Sequence, residues 1–566
     1  MKKPSFGKKS SPAEAEETGY LPPEPDPAPD ADGAPVPARP AGRSGGSRTT
    51  QSLLAAAAVL AVVFGIAQVR PPAAPKTGDT GAAATTAQVE RTAAVCPQPL
   101  QGLTGSTTLT AYTPPGTGSA SGGAGWLSDA NAPATPAPAA SSAPAAPAAP
   151  APTGSAAPDK GGAPADARLT VAKPGTPVSA PAANADNAPG SGAVATGALA
   201  PGFTVTQTTT VTEQRGLGLS GVTCTPAGTG FWFAGASTAG DRTDYISLVN
   251  PESSAAVVDI KLYGDKGPID NDAANGITVA PGSSQSILLP TLTKGAVTDL
   301  AVHVVARSGR LGAFLHAADG NKGADWIPAS AEPAPTVVLP GLPADTSAAR
   351  LVVWAPPEDD ADLKIQLSGK NGWFTPAGNE SIHVKAGMVA AVDLGKITRG
   401  EEPGGLRLSP SDDKHPTAVV AGVRIDRAGS NGKSDAAWLT GAAPVGARAT
   451  VADNRAGAST LFLTSTGDAA TVHVTASAGT NGGTPVTKDV QVPAGATVAL
   501  PAPEPGGLNG SFALTVETAS GGPVVAARML AIPTKDVPMF TVQALRDDHS
   551  TVKVPQASQD PGVVLR

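Results

Sequence analysis

Residues 244–251 read DYISLVNP, and residues 257–264, after a short polar turn, read VVDIKLYG. Apolar residues, many of them β-branched, alternate with polar ones in both segments, which is typical of strands with one buried face. Similar runs, separated by Gly, Pro, Asn or Asp at intervals of about 8 to 12 residues, continue from Phe203 toward the C-terminus. No amphipathic helix follows residue 70, so the pattern predicts an all-β fold and excludes a parallel α/β fold.

The strand pattern occurs three times. RLVVWAP at 350–356 and TLFLTST at 460–466 correspond to DYISLVNP, and a Gly-containing turn before an alternating strand follows in each copy. These turn glycines, Gly282, Gly387 and Gly495, are 105 and 108 residues apart and are available for positive φ. A period near 105 with about seven strands per unit predicts tandem immunoglobulin-like β-sandwiches.

An aromatic residue closes each copy, and in the first and third copies a Gly-containing segment precedes the last strands. The closing aromatics are Trp326, Trp438 and Phe540, which we interpret as core anchors or interdomain plugs, with an exposed ligand-stacking role as the alternative. The segments 308–313 and 520–526 lie between two strands and are predicted to be hairpin loops.

One uncharged segment precedes the β region. Ser52–Val69 has 18 residues, lies between Arg48 and Arg70, and is just long enough to cross a membrane. Its arginine-rich N-terminal flank predicts a signal anchor with the N-terminus in the cytoplasm and the C-terminal bulk outside. A buried helix of a soluble protein and a cleaved signal peptide are the alternatives.

These observations predict the following organisation along the chain. The segments are a disordered cytoplasmic tail at 1–50, the anchor at 51–70, a spacer at 71–88, a disulfide-linked β domain at 89–235 with a disordered Pro/Ala-rich insert at 114–195, three β-sandwich repeats at 236–340, 341–447 and 448–546, and a disordered C-terminal tail at 547–566. The insert lies between the two cysteines, so we expect it to loop out of one domain; O-mannosylation of it is an open alternative.

Cys96 and Cys224 are the only cysteines, and both lie beyond the proposed anchor. An isolated pair outside the membrane predicts one disulfide, with two free buried thiols as the alternative. Neither has another cysteine or a histidine at metal-ligand spacing, which argues against zinc.

The chain lacks the usual patterns of catalytic and metal sites. The six histidines are scattered, and no nucleophile elbow, phosphate-binding loop or dinucleotide fingerprint is present. Residues 316–326, HAADGNKGADW, resemble a calcium loop only loosely, so a polar hairpin is the preferred interpretation of Asp319, Asn321 and Asp325. Carboxylate pairs at 358–360 and 412–413 are in turn-like segments without a cluster of aromatic residues that could form sugar subsites. We therefore predict no catalytic, cofactor-binding or metal-ligating residue.

Three segments carry a resemblance to a known family: VERTAAVCPQP at 89–99, GALAPGFTV at 197–205 and GVTCTPAGTGFWFAGA at 221–236. They resemble an uncharacterised actinobacterial family of membrane-anchored extracytoplasmic proteins, a domain of unknown function, and residues 232–267 resemble the opening of a bacterial β-sandwich repeat. The resemblance covers roughly residue 89 to the C-terminus and implies a role in the cell envelope or its glycans. The long insert and the cytoplasmic tail depart from the shorter family pattern, and no site residue is transferred.

The net charge is −7 and aromatic residues make up 4% of the chain, so nucleic acid is not an expected partner. We expect a non-enzymatic, membrane-anchored scaffold or binding protein of the cell envelope, without a cofactor, whose partners are an envelope protein or cell-wall glycan and the bilayer through residues 52–69. An accessory subunit of a membrane glycosyltransferase or envelope-assembly complex is one alternative. A cryptic glycan hydrolase is another.

Overall fold

The structure is a computed structural model that describes residues 85–100, 104–116, 122–130, 163–185, 187–212, 216–320, 322–398 and 402–554. The predicted tail at 1–50, the anchor at 51–70 and most of the spacer lie outside these residues. The described part is all-β, with three 3-10 turns and no α-helix, and no helix in it is long and apolar enough to cross a membrane. The all-β prediction is confirmed.

Most strands belong to four units, each with two antiparallel sheets on either side of a hydrophobic core. Strand β1, Thr85–Gln88, precedes the first unit. The strands of the first unit are β2 Arg91–Cys96, β3 Gly105–Tyr112, β4 Gly125–Asp129, β5 Leu169–Val171, β6 Val178–Ala182, β7 Ser191–Thr196, β8 Thr204–Val211 and β9 Gly218–Thr223, with a 3-10 turn at Gly197–Leu199. Their sheets have the orders β2-β7-β4-β5 and β6-β3-β8-β9. Leu109, Leu127 and Val205 pack between the sheets with the Cys96–Cys224 disulfide, as the cysteine pair predicted.

The second unit extends from residue 230 to residue 327. Its strands are β10 Gly230–Ala236, β11 Arg242–Asn250, β12 Ala256–Gly264, β13 Gly267–Ile269, β14 Ile277–Val279, β15 Ser283–Leu288, β16 Leu300–Ser308, β17 Gly312–Asp319 and β18 Ala324–Ile327, with 3-10 turns at Asp272–Ala274 and Leu289–Leu292. One sheet has the order β10-β16-β12-β13, with β14 also on β12, and the other has the order β15-β11-β17-β18. Apolar residues from both sheets form a single core.

The third unit repeats this arrangement over residues 337–440. Its strands are β19 Val337–Leu342, β20 Thr346–Trp354, β21 Ala361–Gly369, β22 Gly372–Phe374, β23 Ser381–Val384, β24 Val389–Asp393, β25 Gly404–Pro410, β26 Val420–Ala428 and β27 Ser434–Thr440. The sheet orders are β19-β25-β21-β22, with β23 also on β21, and β24-β20-β26-β27.

The fourth unit extends from residue 448 to residue 545. Its strands are β28 Arg448–Asn454, β29 Ser459–Ser465, β30 Ala470–Ala476, β31 Val486–Val492, β32 Thr497–Pro501, β33 Phe512–Gly521, β34 Val524–Ala531 and β35 Phe540–Leu545. The sheet orders are β28-β33-β30-β31 and β32-β29-β34-β35. A last strand, β36 Thr551–Val554, pairs with β1, so the two ends of the described chain meet in an antiparallel ribbon.

This arrangement corrects three boundaries predicted from the sequence. Strands β4 to β7 lie inside the segment 114–195, so the prediction of a disordered insert is wrong there. Leu127, Leu169 and Val171 point into the first core, and these few apolar residues are sufficient for short strands because longer neighbours pair with them. Likewise β1 lies in the predicted spacer and β36 in the predicted tail; each of these exposed strands obtains its backbone hydrogen bonds from the other.

The strand order differs from that of an immunoglobulin domain, whose sheets contain strands A, B, E and D and strands C, F and G. In the second unit the first strand, β10, pairs with β16, so the immunoglobulin-like detail is not confirmed. The hairpin predictions are also wrong. Strands β16 and β17 lie in different sheets, as do β33 and β34, so the segments 308–313 and 520–526 cross from one sheet to the other.

The four units form a closed arrangement, not the extended row that a tandem repeat suggests. Strands β9, β18, β27 and β35 are the last strands of their units, and they contact one another in the cycle β9, β18, β27, β35 and back to β9. We call these four strands the central ring. The fourth unit also packs on the first, through Leu219 with Leu530 and Met539 and through Tyr112 with Ala452.

The closing aromatics explain how neighbouring units join. Trp438 of the third unit lies in the core of the second, and Phe540 of the fourth unit lies in the core of the third. Trp326 of the second unit packs with Val95 and Val222 of the first. All three aromatics are at most 1% exposed, which confirms the interpretation as core anchors and interdomain plugs.

The three turn glycines have the backbone conformation expected from the sequence. Their φ angles are 57° at Gly282, 70° at Gly387 and 65° at Gly495, a region that residues with a Cβ atom rarely occupy. Each turn therefore requires glycine for its geometry.

Candidate functional site

Two buried aspartates cross-link the central ring. Asp325 Oδ1 accepts hydrogen bonds from the backbone N–H groups of Gly221, at 2.9 Å, and of Trp326, at 2.8 Å. Asp435 Oδ2 accepts from Leu219 N–H at 3.3 Å and Phe540 N–H at 2.9 Å, so this residue of the third unit joins the first unit to the fourth. The strands approach so closely that a Cβ atom at Gly221 would lie 2.0 Å from Nε2 of Gln543.

Burial controls the electrostatics of the ring. It raises the pKa of Asp325 and of Asp435 well above 3.8, although backbone N–H donors to each carboxyl group oppose the shift. Burial also lowers the pKa of Arg528, which lies in β34 next to the ring, to about 10. Asp325 Oδ2, Arg528 Nε and Nη1, and Gln543 Oε1 have no hydrogen-bond partner among the described residues.

A cavity of about 440 Å³ lies beside the ring, between the first, second and fourth units. We call it the axial cavity. Its wall is mainly apolar, and its larger apolar side chains are Phe203, Val222, Phe233, Phe314, Trp326, Ile327, Val451 and Leu545. Cavities that bind small molecules commonly have volumes of about 300 to 1,000 Å³ and mainly apolar walls. Its size and lining are therefore those of a small-molecule site.

Polar groups extend from the inner end of the axial cavity to its mouth. Gln543, 4% exposed, lies at the inner end beside the central ring. Arg546, just after β35, is exposed as a residue, but burial of its guanidinium group lowers its pKa. Arg91 and His549 lie on the exposed side of the wall with Val89, which follows β1, and Val552, which belongs to β36. The cavity therefore opens next to the ribbon that joins the chain ends.

The predicted disulfide forms part of this site. Cys224 follows β9 and lines the axial cavity, while Cys96 ends β2 in the first core. The Cα atoms are 4.5 Å apart, and a backbone bridge between Val95 and Thr225 continues the connection. The disulfide thus holds one wall of the cavity to the first sandwich.

A second cavity, of about 330 Å³, lies between the second and third units, and its charges are already paired. Arg242 contacts Asp244 at 2.7 Å, Arg350 contacts Asp299 at 2.6 Å, and Arg424 contacts Asp319 and Asp426. Arg242 and Arg424 also lie over the ring of Trp438, with guanidinium carbons 5.2 and 5.6 Å from its centroid. These interactions join the two units and leave little charge for a ligand.

The histidines are dispersed over the structure, as the sequence indicated. His316 is buried against Trp326, and burial lowers its pKa to about 3; His303 stacks on Trp232 with ring centroids 3.8 Å apart, and burial lowers its pKa to about 4. Of the other four, His383, His415 and His549 are exposed and His473 is partly exposed. No group of three His, Cys, Asp or Glu side chains in the described residues has the geometry to hold a metal ion.

The acidic candidates of the sequence lie outside the axial cavity. Asp319 pairs with Arg424 in the second cavity, while Asp325 is bonded within the ring; Asn321 lies outside the described residues. Glu358, Asp359 and Asp360 are exposed on the β20–β21 turn, and Asp412 and Asp413 are exposed on the β25–β26 connection. None of these carboxyl groups lines the axial cavity.

Sequence reasoning missed the residues that define the axial cavity. Phe314 and Leu545 resemble ordinary strand residues, and Arg91 lies in a short strand without an evident pattern. A weak signal was present in FTVQALRDDH at 540–549, where Gln543 interrupts an apolar strand and charged residues follow it. Only tertiary contacts bring this segment beside residues from the first and second units.

The fold and the cavity define a class: an all-β protein in which paired sheets enclose a central ring with a ligand-sized cavity beside it. A family model, described as family of unknown function DUF5719, matches residues 178–503, more than half of the chain. The chain therefore belongs to this family. The comparisons found no similar protein among curated ones and no similar solved structure.

Proposed function

We propose that this protein is a non-enzymatic binding protein of the cell envelope and that it binds a small molecule in the axial cavity. The observation that supports this most directly is the cavity itself: about 440 Å³, mainly apolar, and built by three units. The surrounding strands are fixed by buried hydrogen bonds, a disulfide and interdomain aromatics, so the cavity is preformed and binding requires little ordering of the chain.

The envelope location in this proposal rests on the sequence. The apolar segment 52–69, the charge bias around it and a single disulfide favour an anchored protein whose β part lies outside the membrane. An envelope protein or cell-wall glycan remains the proposed macromolecular partner. Crosslinking in intact membranes followed by mass spectrometry tests the accessory-subunit alternative, which requires enrichment of a glycosyltransferase or assembly protein over a control with the anchor alone.

The hydrolase alternative receives less support. Hydrolysis of a glycosidic bond uses two carboxyl groups about 5 to 10 Å apart around a substrate cleft. The pairs at 358–360 and 412–413 are exposed on two neighbouring connections, and they line neither of the two cavities described above. We therefore favour binding over catalysis.

Binding of Nile red, a neutral apolar dye, tests the proposed function. We expect saturable binding with one site per chain, and loss of at least about tenfold in affinity in Ala544→Trp, because a large side chain at this partly exposed wall position fills the cavity. Ala348→Trp, at a partly exposed position of β20 away from the cavity, is the matched control.

Unfolding midpoints of both variants establish that they fold. Absence of dye binding to the wild-type protein, or equal binding by Ala544→Trp and the control, overturns the assignment of the axial cavity.

A further inference from the structure

The arginines at the mouth of the axial cavity differ from most others in the described residues. Nine arginines have a carboxylate within 4.0 Å: Arg168, Arg242, Arg307, Arg310, Arg350, Arg424, Arg427, Arg448 and Arg455. Arg91 and Arg546 line the axial cavity and have no such partner in the described chain. The one hydrogen bond that Arg546 makes among the described residues is donated by Nη2 to the carbonyl oxygen of Ala329. Burial lowers the pKa of its guanidinium group, and no carboxylate of the described chain lies within 4.0 Å to compensate.

The acidic residues at the mouth form no ion pair with these arginines in the described chain. Asp548 Oδ2 accepts from Arg448 Nε at 2.6 Å, and its Oδ1 accepts from Ser550 N–H at 3.0 Å. Asp547 accepts from the backbone N–H groups of Ala447 and His549. Asp548 is therefore paired with Arg448, whereas Asp547 keeps one negative charge because its backbone donors are neutral. The two guanidinium groups without a carboxylate partner outnumber this single charge among the lining residues at the mouth.

The interior of the axial cavity is apolar, so it suits a different part of a ligand from the charged mouth. Phe314, Trp326 and Leu545 are buried apolar residues of the wall, which favour a hydrocarbon or aromatic body. Gln543 Oε1 at the inner end lacks a donor among the described residues, so a hydroxyl or N–H group on the ligand body would satisfy it.

We propose that the axial cavity binds an amphiphilic anion, with its apolar body among Phe314, Trp326 and Leu545 and its phosphate or carboxylate at Arg91 and Arg546. Guanidinium groups suit both anions because their planar N–H donors match two oxygen atoms at once. This inference rests on the proposed function and specifies the ligand class for the same cavity.

Calorimetric titration of the full chain tests the ligand class with four compounds: decyl phosphate below its micelle concentration, 1-decanol, decyltrimethylammonium and inorganic phosphate. We expect decyl phosphate to bind with one site per chain and at least tenfold more tightly than decyltrimethylammonium, decanol to be intermediate, and inorganic phosphate to show no measurable binding. Equal affinity for the anionic and cationic chains overturns the inference, and so does tight binding of inorganic phosphate alone.

Arginine variants locate the head group. Arg546→Gln and Arg91→Gln are each expected to lower the affinity for decyl phosphate about tenfold and to leave the affinity for decanol unchanged. Arg310→Gln, at an exposed arginine away from the cavity, is the matched control and is expected to change neither affinity. Unchanged decyl phosphate affinity in both cavity variants overturns the assignment.

Two further readouts complete the test. Competition of decyl phosphate by phosphatidylglycerol vesicles supports a membrane lipid as the source of the amphiphile, and its absence supports a free amphiphile. If Nile red binds but the anionic and cationic amphiphiles bind with equal affinity, only the inferred ligand class is contradicted. If neither the dye nor any amphiphile binds, the proposed binding function is contradicted as well.

Discussion

Asp325 and Asp435 are both buried in the central ring, but their hydrogen bonds differ. Oδ2 of Asp435 accepts from two backbone N–H groups and Oδ1 accepts from Ala436 N–H at 2.9 Å, so neither oxygen is spare. Asp325 accepts backbone N–H groups only at Oδ1; no backbone donor reaches its Oδ2, and the side-chain donor beside the carboxyl group is the Thr541 hydroxyl. An asparagine retains one acceptor oxygen and replaces the other with an NH₂ donor. It therefore fits position 325 better than position 435.

We expect Asp325→Asn to preserve or raise the free energy of unfolding at neutral pH, whereas Asp435→Asn lowers it by roughly 1 to 3 kcal/mol because an NH₂ group then faces a backbone N–H. Urea unfolding of the two variants and the wild type measures the difference. Equal destabilisation by both substitutions contradicts this account of the ring.

The same aspartate predicts a dependence on pH. Because burial raises the pKa of Asp325 well above 3.8, the folded protein retains a proton that the unfolded chain releases. The free energy of unfolding therefore declines as pH rises from about 3.8 to the raised pKa and levels off above it. We expect a shallower decline in Asp325→Asn, measured by urea unfolding over that range, with Asp129→Asn in the partly exposed ion pair with Arg168 as the control. An unchanged slope in Asp325→Asn contradicts the assignment.

At the scale of single elements, strands of the central ring contribute side chains to the hydrophobic cores of neighbouring units. Strand β27 belongs to a sheet of the third unit, yet Ala436 and Trp438 on it pack in the core of the second unit with Phe233 and Leu248. Strand β35 does the same for the third unit through Phe540 and Val542. A repeat unit therefore lacks part of its own core until the following unit has folded beside it.

We expect Trp438→Ala to lower the free energy of unfolding by about 3 to 5 kcal/mol, because it leaves a large cavity in a closed core. Hydrogen exchange is expected to increase most in β11 and β16 of the second unit, although the substitution lies in the third. Phe374→Ala is the matched control, since this aromatic is 49% exposed and its loss changes stability by about 0.5 kcal/mol or less. Increased exchange confined to the third unit contradicts the shared-core arrangement.

At the scale of the whole molecule, the closed cycle of contacts makes the stability of each repeat unit depend on the others. Independent sandwiches in a row unfold separately, whereas units that complete one another's cores and close through Leu219 and Leu530 lose stability together. The β1–β36 ribbon joins the ends of the described chain and strengthens this closure.

We therefore expect one main calorimetric transition for the β region, with a ratio of van't Hoff to calorimetric enthalpy near one. Differential scanning calorimetry of the full chain measures it. The Leu219→Ala variant, which weakens the contact between the first and fourth units, is expected to lower the midpoint of the whole transition, with Leu288→Ala at a 48% exposed site as the control. Several resolved transitions in the wild-type protein contradict a single cooperative ring.

The sequence by itself determined the local properties of this protein. Alternation in DYISLVNP and VVDIKLYG identified strands, the positions of Gly282, Gly387 and Gly495 identified turns with positive φ, and the isolated cysteines identified the disulfide, because each depends on nearby residues or on simple counting. Disorder was overestimated at 114–195 because short strands such as Leu169–Val171 contain too few residues to show a period. The closing aromatics were recognised as plugs, but not the cores that they enter.

Only the tertiary structure decided sheet order, the central ring and the axial cavity. Sequence alternation shows that one face of a strand is buried, but it does not show which unit covers that face; Trp438 and Phe540 are covered by neighbours. The cavity brings together Arg91, Phe314 and Arg546, which are separated by more than 200 residues along the chain. Their proximity results from ring closure, a long-range packing effect that no local pattern encodes.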